Sequence, residues 1–222
     1  YSDHDQLATL VRETGFAFAI PGCTDVSFKS YASLDQAYQC LDKQTVSALQ
    51  SFLSKTELSV TLSRMDLPSL DVPLNEVLSE AVNESIIVKP ADAFSGRGIT
   101  VLQESQWTPE QLEAALARAR SASTDQCALI QRYLEGDLFS LSLFSDGQRM
   151  LVSPVVQEFI SSDRRVVSSH LAGKKISQLE SVRQFIDAIH SVLGSTRWFL
   201  HVQFLLDPET QEAFIIDCAA RC

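Results

Sequence analysis

The tightest constraint on the fold is one stretch near the C-terminal end, WFLHVQFLLDPETQEAFIIDCAA, residues 198–220. Two long apolar runs flank Asp207-Pro208-Glu209-Thr210, a group with the composition of a tight turn. Runs of that length joined by so short a connection must pair antiparallel. Side chains alternate across a strand, so His201 and Gln203 share a face of the first run, and Asp217 and Ala219 share a face of the second. Both pairs are expected to face inward. This half of the chain therefore cannot be a simple doubly wound parallel sheet.

Similar patterns recur upstream. LFSLSLFSDGQRMLVSPVVQEF (138–159) predicts two strands around Asp146-Gly147, and ALIQRYLEG (128–136) predicts a strand leading into a turn. IIVKPADAFSGRGITVL (86–102) predicts strands at about 85–89 and 98–102 separated by a flexible loop. Strands are also expected at Phe16–Ile20 and over LSVTL, 58–62. Helical spacing marks 5–14, stopped by Gly15, and a segment near 31–55 where Asp42-Lys43 precedes the stripe Val46, Leu49, Phe52 and Leu53. Further helices are predicted at 74–82, at 111–122 behind the Thr108-Pro109-Glu110 start, and at 176–194, ended by Gly194. Helices and strands alternate at first and antiparallel pairing then dominates, which defines an α+β or mixed α/β chain.

With 222 residues, 45% of them hydrophobic and 21% charged, the chain can bury a substantial core. A net charge of −10 argues against a nucleic-acid or anionic membrane surface. No apolar run reaches the length of a membrane span. The 5 cysteines are mostly scattered, which predicts free thiols in a reducing compartment, and hence a cytoplasmic protein. No cysteine is paired with a histidine in a spacing that would mark a nucleophile. The start at Tyr1 and the end at Cys222, just past a strand, predict a chain cut from something longer.

Three segments carry candidate chemistry. Lys89 ends a strand before a loop with Gly96 and Gly98, where backbone amides and a cation could surround phosphate oxygens. A solvated hairpin accounts for the same residues equally well. In LIQRYLEGD (129–137) the backbone could lie along an adenine edge with Leu134 against the ring, although an edge strand and turn explains it too. Asp217 follows Phe214-Ile215-Ile216, so it is expected to be buried and to need a partner. Across the hairpin, Asp217 and Gln203 could hold Mg²⁺, and the alternative is an ordinary polar face. His201 is a candidate substrate or metal contact, with a satisfied polar residue as the equal alternative, and Glu158 is a candidate further acid. Arg164, Arg165, His170, Lys174 and Lys175 read best as a solvated loop.

In this order, lysine strand with glycine loop, hinge, and acidic hairpin, the segments resemble the ATP-grasp superfamily of carboxylate–amine ligases. The resemblance implies two α+β lobes with nucleotide bound between them. Residues 1–39 would be the remnant of a preceding α/β region and 40–222 the ATP-grasp domain. Within it, about 86–130 would form a lid-like small lobe, and 131–222 a larger lobe cut short at its C-terminal end. Lys43 and Lys89 match the lysines that touch ATP phosphates, and Phe94, Ser95, Gly96, Arg97 and Gly98 match the closing loop. Gln131, Arg132, Tyr133 and Leu134 match the adenine hinge. Asp217 matches a Mg²⁺ ligand, with Gln203 where the family has its other acid. Arg221, with Lys89, matches the groups acting on the transferring phosphoryl. Leu138 stands where the family has a ribose-binding acid, for which Asp137 or Glu135 would substitute, and Ala219 replaces an asparagine. The implied activity is ATP-dependent activation of a carboxylate as an acyl phosphate for attack by an amine. The alternative is a non-catalytic nucleotide-binding module. ATP, Mg²⁺ and small-molecule carboxylate and amine substrates follow from the resemblance, with a homodimer as one option.

Overall fold

The structure, a computed structural model, describes residues 4–17, 19–20, 25–79, 84–92, 96–104, 107–161, 166–194 and 196–220. Among them, no helix is long and apolar enough to cross a membrane. Helix α1 (His4–Thr14) ends at Gly15, whose φ of +68° suits a residue without a Cβ. Among the described residues of the strand expected at Phe16–Ile20, one bridge is formed, Ala19 to Gln39. Helix α2 (Asp25–Ala32) presents Tyr31, whose buried hydroxyl accepts the Leu41 amide at 2.8 Å and fixes the approach to α3 (Lys43–Leu53). Asp42 caps α3 by accepting the Thr45 amide at 2.9 Å and the Thr45 hydroxyl at 2.6 Å.

Residues 58–62, expected as a strand, lie instead within α4 (Lys55–Arg64). Leu58, Thr61 and Leu62 are its buried positions, spaced as one helix face, so packing overrides the β preference of Val60 and Thr61. Helix α5 (Leu74–Ser79) follows.

The smaller lobe comprises β1 (Ile86–Pro90), β2 (Thr100–Leu102), α6 (Pro109–Ala122) and β3 (Ala128–Arg132), with sheet order β2-β1-β3 and all pairs antiparallel. Thr108 and Gln111 exchange side-chain bonds to each other's amides, a capping box that starts α6. Its core holds Ile86, Val88, Leu112, Leu116 and Ile130. Residues 70–72 run beside β3, where the Arg132 amide donates to Leu70 at 2.8 Å and the Val72 amide to Ile130 at 2.9 Å.

The larger lobe is a six-stranded antiparallel sheet, ordered β7-β6-β4-β8-β9, with β5 also paired to β4. The strands are β4 (Asp137–Asp146), β5 (Met150–Val152), β6 (Val156–Ile160), β7 (Val166–Leu171), β8 (Arg197–Leu206) and β9 (Ala213–Ala219). Strand β7 occupies part of the segment read as a basic loop. Asp207 Oδ1 accepts the Glu209 and Thr210 amides at 2.8 and 3.0 Å, closing the β8–β9 turn where expected. Helices α7 (Lys174–Ser177) and α8 (Glu180–Leu193) replace the single helix predicted there. One face of the sheet packs on α3 and α8 through Trp198, Leu200, Val202 and Phe204, with Phe204 against Phe139 and Phe185 at 5.7 and 5.2 Å. Val11, Phe28 and Tyr31 bury in the same core. The site lies on the other face, where His201, Gln203 and Asp217 are half-buried.

Candidate functional site

Strand alternation buries Ile86, Val88 and Pro90 and turns Lys89 out of the smaller lobe toward the larger one. Its Nζ donates to the Ile216 carbonyl at a long 3.5 Å. That carbonyl is exposed to a side chain because the β8–β9 ladder slips by one residue. Gln203 pairs with Asp217 but Phe204 pairs with Ile215, so Ile216 has no cross-strand partner. Burial pushes the Lys89 ammonium down to about 8, and the neighbouring Lys55 charge adds to this while Asp217 and Asp71 oppose it.

The same slip sets Asp217 on the face turned away from α3 and α8, opposite Gln203. The face expected to point inward is thus the one turned away from the helix-packed core, because the alternate residues Val202 and Phe204 take that core position. Asp217 has the partner its half-buried carboxylate requires: Lys55 Nζ lies 3.5 Å from Oδ1. Gln203 Nε2 donates to Glu158 at 2.6 Å, which leaves its carbonyl oxygen to face other partners. His201 Nδ1 lies 3.2 Å from the Ser142 hydroxyl. Cys218 is buried on the opposite side of β9, where burial and the Asp217 charge raise its thiol well above the usual range.

At the hinge, Gln131 is buried and its amide donates to Asp71. The Tyr133 amide donates to Ser85 at 2.8 Å. Leu134 and Leu138 are half-buried, whereas Arg132, Glu135 and Asp137 are exposed. Gly136 packs so closely on the Leu206 carbonyl that a Cβ would lie 2.4 Å from its oxygen. Lys55, Leu58, Asp71, Lys89, Gln131 and Ile216 together enclose about 10 Å³, room for roughly one water.

Lys89 and Gln131 thus line one cavity, Asp217 adjoins it through Lys55, and Gln203 stands across the ladder from Asp217. Lys43 is exposed at the start of α3 and is not among the residues lining the cavity. Gly96 and Gly98 have φ of +71° and +73°, and a Cβ on Gly98 would meet Ala122 at 2.6 Å and Pro90 at 2.9 Å. Arg97 between them is exposed. Phe94, Ser95, Arg164, Arg165 and Arg221 lie outside the described residues. Lys55 and Asp71 are cleft residues that the sequence reading did not single out. For Lys55 a signal existed: Ser54-Lys55-Thr56-Glu57 has the spacing of a helix start, and Ser54 is the N-cap of α4. Asp71 carries no such mark.

Two ammonium groups and two carboxylates facing one cleft can exchange their mutual pairing for phosphate oxygens and a cation. A family model described as an ATP-grasp domain matches residues 82–221. No match was found among curated protein sequences. Among solved structures, the biotin carboxylase domain of Hydrogenobacter thermophilus 2-oxoglutarate carboxylase, in complex with MgADP, ADP and bicarbonate, superposes with a TM-score of 0.79 at 14% identity over 100% of this chain and 52% of that one. Staphylococcus aureus N5-carboxyaminoimidazole synthetase, complexed with ADP, gives 0.75 at 14% identity over 100% of this chain and 58% of that one. Campylobacter jejuni biotin carboxylase gives 0.77 at 14% identity, covering 100% and 52%. The chain spans about half the length of these structures, and the likeness is one of fold.

Proposed function

We propose, for a chain that belongs to the ATP-grasp domain family, that it is the nucleotide-binding portion of an ATP-dependent ligase. Such a ligase transfers the γ-phosphoryl group of ATP to a substrate carboxylate, and an amine then displaces phosphate from the acyl phosphate. The observation that carries this reading is the meeting of Lys89, from the smaller lobe, with the Ile216-Asp217 strand of the larger lobe.

Lys89 supplies a fixed cation for phosphate oxygens, and Gln131 to Leu134 supply backbone and apolar contact for the base. Gly96 and Gly98, at φ of +71° and +73°, are assigned to the phosphates, which a backbone without Cβ atoms could approach closely. Arg221 is assigned to the charge developing on the transferred group, as its position in the DCAAR motif implies. Asp217 and the Gln203 carbonyl are hard oxygen donors in cross-strand register, a set that suits Mg²⁺ and would hold it. A bound Mg²⁺ ion would neutralise phosphate charge there. Nucleotide sites need roughly 300 Å³ or more, so the cleft has to widen beyond the space now enclosed between Lys55 and Lys89 for nucleotide to enter.

Calorimetric titration tests the assignment: ATP should bind the native chain, and Lys89→Ala should weaken binding about tenfold or more, the value of a charge-assisted hydrogen bond. Unchanged binding in that variant would overturn it. A second reading, a module that binds nucleotide without turnover, is favoured by the neutral Gln203 and by the engagement of Asp217 with Lys55. Tight ATP binding with no ADP release across panels of carboxylates and amines selects that module.

A further inference from the structure

Lys55 opens α4, and its side chain is 16% exposed while that of Asp217 is 28% exposed. The two lie 3.5 Å apart on the wall that Lys55 shares with Lys89. A carboxylate in contact with an ammonium cannot also hold a divalent cation closely, because the two positive charges would sit within a few ångströms of one another. Gln203 offers no charge to compensate, Glu158 is turned to the Gln203 amide nitrogen at 2.6 Å, and Asp71, across the cleft, accepts the Gln131 amide.

We propose that Lys55 is a tethered counter-ion that closes Asp217 to metal in the nucleotide-free chain and passes to the nucleotide phosphates when a metal–nucleotide complex takes its place. This rests on the ATP-binding reading above. The two lysines differ in how they are held. Lys89 projects from the middle of a sheet onto a main-chain carbonyl, whereas Lys55 stands in the first turn of a helix on a long flexible stem whose ammonium can turn its donors to new partners. Released from Asp217, Lys55 remains beside Lys89, where a phosphate group would meet both. Metal and nucleotide then bind cooperatively, since each removes the cost of displacing Lys55 for the other. Either alone binds more weakly than in the presence of its partner.

The test measures Mn²⁺ binding to the nucleotide-free chain by electron paramagnetic resonance of the free ion, and ADP binding by calorimetry with Mn²⁺ or with chelator. Lys55→Met should bind Mn²⁺ about tenfold more tightly than the native chain and ADP in chelator about tenfold more weakly, within the usual range of coupling between sites. Lys55→Arg, which keeps the charge, should leave Mn²⁺ binding weak. The gain in Lys55→Met should vanish when Asp217→Asn is added. Unchanged Mn²⁺ affinity in Lys55→Met, or a gain that survives Asp217→Asn, overturns the proposal. Should ADP bind none of the chains, the nucleotide reading fails, and with it the transfer of Lys55 to phosphate. The Mn²⁺ measurements would still decide whether Lys55 and metal compete for Asp217.

Discussion

Strand β8 presents two faces that obey different rules. Trp198, Leu200, Val202 and Phe204 point into the helix-packed core, where packing chiefly decides what is tolerated and Trp198 Nε1 also donates to the Gly194 carbonyl at 3.1 Å. His201 and Gln203, the residues between them, point to the opposite face, where each polar group is met by a side chain of another strand. One face of the same ten residues sets stability, and the other sets what the site can hold.

The contrast is most easily broken on the core face. Phe204→Ala should cost about 3–5 kcal/mol in urea unfolding, because Phe204 is fully buried between Phe139 and Phe185. His201→Ala, three positions back on the cleft face, should cost about 1 kcal/mol, the scale of one hydrogen bond. Equal losses would mean that the two faces are not distinct. Gln203→Glu sharpens the cleft side: it sets a second acid beside Glu158 and opposite Asp217. Without metal it should destabilise the chain by roughly 1 kcal/mol through like-charge pairing across strands. Added Mg²⁺ should reverse that loss, as followed by thermal unfolding.

Acidity gives a further probe. The ammonium of Lys89 titrates at about 8 in the folded chain, below its usual 10.5, so the folded form releases that proton first. Stability should therefore rise as pH increases from about 8 to 10.5 and be flat, for this group, below that window. Nucleotide affinity should move the opposite way, falling about tenfold between roughly pH 7 and pH 9 as the cation is lost. The fall should be absent in Lys89→Ala. The smallest effect is expected at Arg149, whose contact with Asp146 at 3.7 Å is exposed: Arg149→Ala should change stability by about 0.5 kcal/mol or less.

Most of the strand framework was legible in residue order, because alternation and turn composition act locally. Asp146-Gly147 and Asp207-Pro208 close the turns they were expected to close. Lys89 was marked by its place at a strand end before Gly96 and Gly98, and Asp217 by the apolar run Phe214-Ile215-Ile216 before it. Helix α4 was not, since Val60 and Thr61 favour a strand in isolation and only the burial of Leu58 and Leu62 against the rest of the chain decides otherwise. That misreading concealed Lys55, whose role depends on where its helix docks. The pairing of Glu158 with Gln203 spans an intervening strand, and Asp71 reaches Gln131 from an extended segment, so neither follows from local pattern.

The unpaired Ile216 acts as a phase shifter. A strand reads its sequence in steps of two, so the run Phe214-Ile215-Ile216-Asp217 would, if regular, send Asp217 to the same side as Ile215 and into the oil of the core. One supernumerary residue inverts the count, delivers the carboxylate to the water side, and hands the leftover carbonyl to Lys89. Removing Ile216 should then be an unusually quiet deletion: Ile215 and Asp217 would keep their present sides on a straightened ladder, while the smaller lobe would lose its hold on this edge of the larger one.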